Sequence, residues 1–176
     1  MNPLILFYTG SHPDSRGRFL FDVLQQDDDW LETCHDYIQW LFPNREPSRV
    51  TPDAPIITKE VQNAFLDDEL LRNQLRASFK RILSFYGLKQ AGSEIVKAEN
   101  WSDRKSYWFT HDTHNNLRIT RILKCLSTLG LSSEACMFYK TLNKLQQEEP
   151  DCGPGTRAYK FWHEAIAENS SSKANP

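Results

Sequence analysis

Over most of this chain the apolar residues recur three and four positions apart, the spacing that turns one face of a helix inward. The clearest run is Ile119, Ile122, Leu123, Leu126 and Leu129, followed by Gly130 as a stop, so a helix is predicted from about Thr113 to Leu129. A second stripe, Leu71, Leu75, Phe79, Ile82 and Tyr86, follows the acidic run Asp67, Asp68 and Glu69 and ends at Gly87. A third, Ala135, Phe138, Tyr139, Leu142 and Leu145, follows Ser132 as a cap. A fourth, Ala158, Phe161, Trp162, Ala165 and Ile166, follows Thr156. These stripes predict an all-α, compact, bundle-like domain of about six or seven helices.

The N-terminal third is predicted by weaker signals. "LILFY", Leu4 to Tyr8, reads as an extended arm, because no second strong strand pattern offers it a partner. Phe19 to Gln25 reads as a short helix. Asp29, with Glu32 in capping-box position, is expected to start a helix whose stripe is Trp30, Leu31, Cys34, Tyr37, Ile38, Leu41 and Phe42. Pro43 must end it. Four prolines then fall between Pro43 and Pro55, which dictates a stiff loop without helix or central strand. Another helix opens near Thr58. Lys89 to Tyr107 reads as loop with a short strand in "SEIVKA". One domain is expected over residues 1–168, with a disordered tail over 169–176.

Bulk properties exclude several classes. The formal net charge is -2, so the chain as a whole has no basic signature for nucleic acid or an anionic membrane. No apolar run approaches the ~18 residues of a membrane span, and the N-terminus is a poor signal peptide. The four cysteines form no CxxC pair and read as reduced thiols of a cytoplasmic protein. No phosphate-binding glycine loop, nucleophile elbow or HExxH motif occurs, and no cofactor is expected. His111 and His114 flank Asp112, but a metal site needs further donors that the spacing does not supply.

Two segments stay open for function. In "HDYIQWLFPNREP", the helical angles place Tyr37, Ile38 and Leu41 in the core. His35, Gln39, Trp40, Arg45 and Glu46 are not accounted for by packing, with Trp40 expected under the proline loop. In "HDTHNNLRITR", His114, Arg118 and Arg121 share a face near a helix start, flanked by Lys124. That face reads either as a solvated basic surface or as an anion site at a helix N-terminus. Asn115 points coreward and needs a hydrogen-bond partner there.

"HDYIQWLFPNREP", "FYGL" at Phe85–Leu88 and "HNNLRITRILKCLSTLGL" at His114–Leu131, in this order, resemble the conserved domain of the opioid growth factor receptor family. The resemblance spans about Phe7 to Ile166 and implies a helical domain. Animal members bind met-enkephalin, restrain cell proliferation and are nuclear or perinuclear; they are unrelated to seven-helix opioid receptors. This chain carries neither an acidic N-terminal extension nor a repeat-bearing C-terminal one, and looks like a bare-domain member of the bacterial type. The expectation is a non-enzymatic binding module for a peptide or small anionic ligand. The ligand would be held by His35, Gln39, Trp40, Arg45, Glu46, His114, Asn115, Asn116, Arg118 and Arg121, with the two segments meeting. The alternatives are an enzyme using His35 or His111 and His114 with nearby carboxylates, and a nucleic-acid binder using Arg118, Arg121 and Lys124.

Overall fold

The computed structural model describes residues 2–171, and among them ten helices and one two-stranded sheet. The chain divides into two units, with the boundary between Arg81 and Ile82.

In the first unit, α1 (Pro3–Tyr8) stands where an extended arm was expected. The local reason was legible. Asn2 accepts the Leu4 N–H through its side chain at 3.0 Å, and Pro3 occupies the first helical position, where its missing N–H costs nothing. The helix buries Leu4, Phe7 and Tyr8. Tyr8 meets the Phe65 ring at 5.0 Å and donates its hydroxyl hydrogen to the Leu41 carbonyl. After α2 (Leu20–Leu24) the expected long helix is broken into α3 (Asp28–Thr33) and α4 (Ile38–Leu41). Its cap is Asp27, not Asp29: the Asp27 carboxylate accepts the Trp30 N–H at 2.8 Å. Cys34 leaves the helix with φ −83° and ψ 130°. The proline loop follows without regular structure. It is closed by the Ile57 N–H donating to the Asn44 carbonyl at 2.9 Å. Thr58 caps α5 (Lys59–Asp67) as expected, accepting the Val61 N–H.

α6 (Glu69–Phe85) carries the predicted stripe, with Leu71, Leu75, Phe79 and Ile82 buried. It ends at Gly87, whose φ is +75°. A Cβ at Gly87 would lie 2.7 Å from the Trp101 Cα, so both backbone conformation and space demand glycine. Lys89 to Tyr107, expected as loop with a short strand in "SEIVKA", folds into a hairpin, β1 (Leu88–Ala91) and β2 (Glu94–Lys97), then α7 (Trp101–Trp108); β2 is the expected strand, while β1 and α7 were not foreseen. The strands pair antiparallel from Leu88↔Lys97 to Ala91↔Glu94, turned by Gly92 at φ +62°. β2 packs on α9, where Thr141 donates to the Ile95 carbonyl at 2.9 Å.

α8 (His114–Thr128) is the central packing element of the second unit, against α7, α9 (Ser132–Glu148) and α10 (Thr156–Ser171). Its stripe, Ile119, Ile122, Leu123, Leu126 and Leu129, is fully buried. Two expectations are corrected here. Ser132 lies inside α9 rather than capping it, its hydroxyl donating to Ser127 instead. Phe161 is exposed, because Trp162 takes the inward position on α10 and donates its indole N–H to the Asn116 carbonyl at 3.1 Å. Residues 172–176 of the expected tail lie outside the described residues.

Candidate functional site

The break between α3 and α4 is where the first family segment departs from a plain helix, and a charge cluster occupies it. Asp14 is buried and accepts the Arg16 and Arg18 N–H groups at 2.8 and 3.0 Å and the Arg18 guanidinium at 2.7 Å. Arg18 reaches on to Asp36 at 2.9 Å, Arg16 binds the second Asp36 oxygen at 3.0 Å, and the Cys34 thiol donates to Asp36 at 3.1 Å. Burial pushes the Asp36 carboxyl up, but the Cys34 and Arg18 hydrogen bonds outweigh it and hold the group below its ordinary value. Burial likewise opposes the Arg18 charge, and hydrogen bonds to Asp14 and Asp36 reverse that and raise it. Sequence reasoning missed this cluster, because its two groups, Asp14 to Arg18 and Cys34 to Asp36, stand 16 to 22 positions apart and no periodicity links them.

Beyond the break, α4 brings Gln39 and Trp40 inward, with 5% and 6% of their surface exposed. The Trp40 ring meets Phe7 of α1 with ring centroids 5.3 Å apart and planes tilted by 60°. Neither the Gln39 carbonyl oxygen (Oε1) nor the Trp40 indole nitrogen (Nε1) has a hydrogen-bond partner. His35, Arg45 and Glu46 are exposed. Arg45 donates to the Gln62 side-chain carbonyl of α5 at 3.2 Å.

In the second segment the start of α8 is built from its own residues and from α7. Asn115 is fully buried; it accepts from the Tyr86 hydroxyl and donates to the Tyr107 carbonyl, both at 3.4 Å. The expected partner for that amide is therefore backbone, at the end of α7. Arg118 is only 4% exposed, which corrects the expected solvated face: His114 lies outside, while Arg121 and Lys124 are half-buried. Leu117, at 72% exposure, occupies solvent instead. Asp112 precedes the helix with φ +54°, a left-handed position that aspartate tolerates better than most residues. Thr113 precedes α8 without a side-chain cap bond, and no acidic residue stands in the first turn. The Thr113 hydroxyl and the Asn116 side-chain oxygen are buried there without partners. The first turn thus keeps two uncommitted polar atoms together, with neither a Thr113 side-chain cap nor an acidic residue beside them.

A second electrostatic centre, also unforeseen, lies at the end of α9. Glu149 receives Lys97 at 2.9 Å, Lys105 at 2.7 Å and the Trp101 indole at 3.1 Å. The Lys105 and Lys97 hydrogen bonds outweigh the effect of burial and hold the Glu149 carboxyl at about 2. It ties β2 and α7 to α9, residues 44 to 52 positions apart. Burial pushes the Cys125 thiol far up, and the chain's four cysteines are all free. Among the described residues, no three His, Cys, Asp or Glu side chains gather as a metal-ligand set. No helix among them is long and apolar enough to cross a membrane.

The molecule is thus a mainly helical protein with two polar segments, each fixed by its own unit. The chain belongs to the opioid growth factor receptor family: the model of the Opioid growth factor receptor (OGFr) conserved region matches residues 8–149. It is 43% identical over 121 residues to the rat opioid growth factor receptor, covering 65% of this chain and 20% of the relative. It is 38% identical to the human receptor over 121 residues, 65% of this chain and 18% of the relative. The mouse opioid growth factor receptor-like protein 1 is 37% identical over 122 residues, 66% of this chain and 26% of the relative. The chain therefore spans about a fifth to a quarter of the length of the curated relatives it matches. No solved structure matches it.

Proposed function

We propose that this chain is a non-enzymatic binding module for a peptide or a small anionic group, with the opioid growth factor receptors as its model. The observation that carries the reading is the start of α8, with buried Thr113 and Asn116 oxygens lacking partners on a helix without a cap or an acidic first turn. Such a helix end attracts a carboxylate or other anion through the positive end of its dipole, which no acidic side chain offsets. His114, Asn116, Arg118 and Arg121 are the ligand contacts of this segment, with Asn115 fixing the turn. His35, Gln39, Trp40, Arg45 and Glu46 are those of the first segment. The free cysteines support a reducing compartment, and we assign the protein to the cytoplasm on that ground.

The test is thermal shift and calorimetric titration with met-enkephalin, the same peptide amidated at its C-terminus, and inorganic phosphate. Binding at about a hundredth of the applied concentration stabilises the fold by about 2.7 kcal/mol. The amidated peptide is expected to bind more weakly, and H114A and R121A to weaken the acid form. No shift with peptide or phosphate at millimolar concentration refutes the proposal.

A further inference from the structure

Gln39 and Trp40 are the two residues of the first segment that the fold buries most deeply while leaving a polar atom unanswered. Each such atom has lost its hydration without a hydrogen bond to offset it, which a satisfied or apolar replacement would avoid. Phe in place of Trp, or Met or Leu in place of Gln, would remove that cost from this apolar surrounding. Ile38, Leu41 and Phe42 beside them are buried, and Phe7 covers the Trp40 ring. α4 itself, "IQWL", contributes no ionisable side chain.

We infer that Gln39 and Trp40 are kept unpartnered to receive an uncharged amide of the ligand, a peptide group above all. The inference rests on the binding-module reading and deepens it. The Trp40 indole N–H donates to the ligand carbonyl oxygen, and the Gln39 carbonyl oxygen accepts from a ligand N–H. One donor and one acceptor in an apolar surrounding match an amide. A carboxylate matches poorly, because it offers no hydrogen to Gln39 and would be buried without a counter-charge on α4. Entry requires α4 to move. A helix of one turn without a side-chain cap has little stability of its own, and its opening gives up the Tyr8 hydrogen bond to the Leu41 carbonyl and the Phe7 contact, which the bound amide must offset.

The experiment follows the indole N–H signals of the five tryptophans by nuclear magnetic resonance, with Trp40 assigned from its loss in W40F. The probes are N-acetylglycine methylamide, which carries two amides and no charge, and sodium acetate. The amide is expected to move the Trp40 signal saturably and acetate to leave it. In Q39M the amide binds about fivefold more weakly, the worth of one neutral hydrogen bond of about 1 kcal/mol. The melting temperature of unliganded Q39M should hold or rise. An unmoved Trp40 signal, a saturable response to acetate instead, or a fall of more than about 5 °C in Q39M overturns the inference. Such a fall would mean that a fixed internal partner already satisfies the group. If met-enkephalin and phosphate fail to bind while the amide probe binds, only the reading of the preceding section falls. If the pentapeptide binds and Q39M leaves its affinity unchanged, this inference falls and that reading stands.

Discussion

Replacing Glu149 by glutamine removes one negative charge from between two lysines and changes little in volume. In the fold the carboxyl titrates at about 2, against an ordinary value of 4.5, because Lys105 and Lys97 donate to it, and the Trp101 indole adds a third hydrogen bond. A depression of that size corresponds to about 3 kcal/mol as a ceiling. The Glu149 side chain is 17% exposed, but Lys97 and Lys105 remain 34% and 37% exposed, so water screens much of the interaction. After that discount about 1–2 kcal/mol is expected for the charge at pH 7. The sign follows from the depressed value. The contribution is complete above about pH 5 and disappears as the pH falls towards 2, where the folded carboxyl also takes up its proton. Urea denaturation of wild type and E149Q, followed by tryptophan fluorescence, should therefore show a gap of about 1–2 kcal/mol at pH 7 that narrows at pH 3 and closes near pH 2. Asp36, Glu69 and Glu99 are also held below their ordinary values, but they titrate alike in both proteins and cancel in the difference. Equal stability at pH 7, or a gap that persists unchanged at pH 2, would refute the reasoning.

Four further substitutions test the frame. G87A should lose at least about 2 kcal/mol, from the left-handed backbone and the approach to Trp101 together; G10A, at φ +72° with nothing within 4 Å, should lose only about 1 kcal/mol. Thermal melts of the two variants compare them directly, and equal losses would show that the close approach adds nothing. D14N removes the charge from a carboxylate that holds Arg18 and two backbone N–H groups, and should cost about 3 kcal/mol in urea denaturation. N115L leaves the Tyr107 carbonyl and the Tyr86 hydroxyl without their partner in the core, and a loss of about 1–3 kcal/mol is expected in the same assay.

The long helices were legible because the information for them is local. Leu71, Leu75, Phe79 and Ile82 declare α6 by spacing alone, and Thr58 announces the start of α5. Gly87 marks the end of α6 because only glycine takes its backbone angle cheaply. The family, too, was legible in "HDYIQWLFPNREP" and "HNNLRITRILKCLSTLGL", and the match over residues 8–149 bears this out. Of the candidate residues, the inward turn of Asn115 was readable from the α8 stripe.

Tertiary structure decided the rest. Helices of four to six residues such as α1, α3 and α4 are too short to hold by propensity, so what they pack against determines whether they form and where they break. The expected stripe breaks at Cys34, where Arg16, Arg18 and Cys34 converge on Asp36, and Glu149 binds lysines some fifty positions away. Arg118 is buried although its helical angle suggested solvent. Side-chain charge carries no period and no fixed reach along the chain. Periodicity therefore determines which face of a long helix turns inward, while only the folded chain determines which ions meet and which polar atoms, such as those of Gln39 and Trp40, are left unanswered.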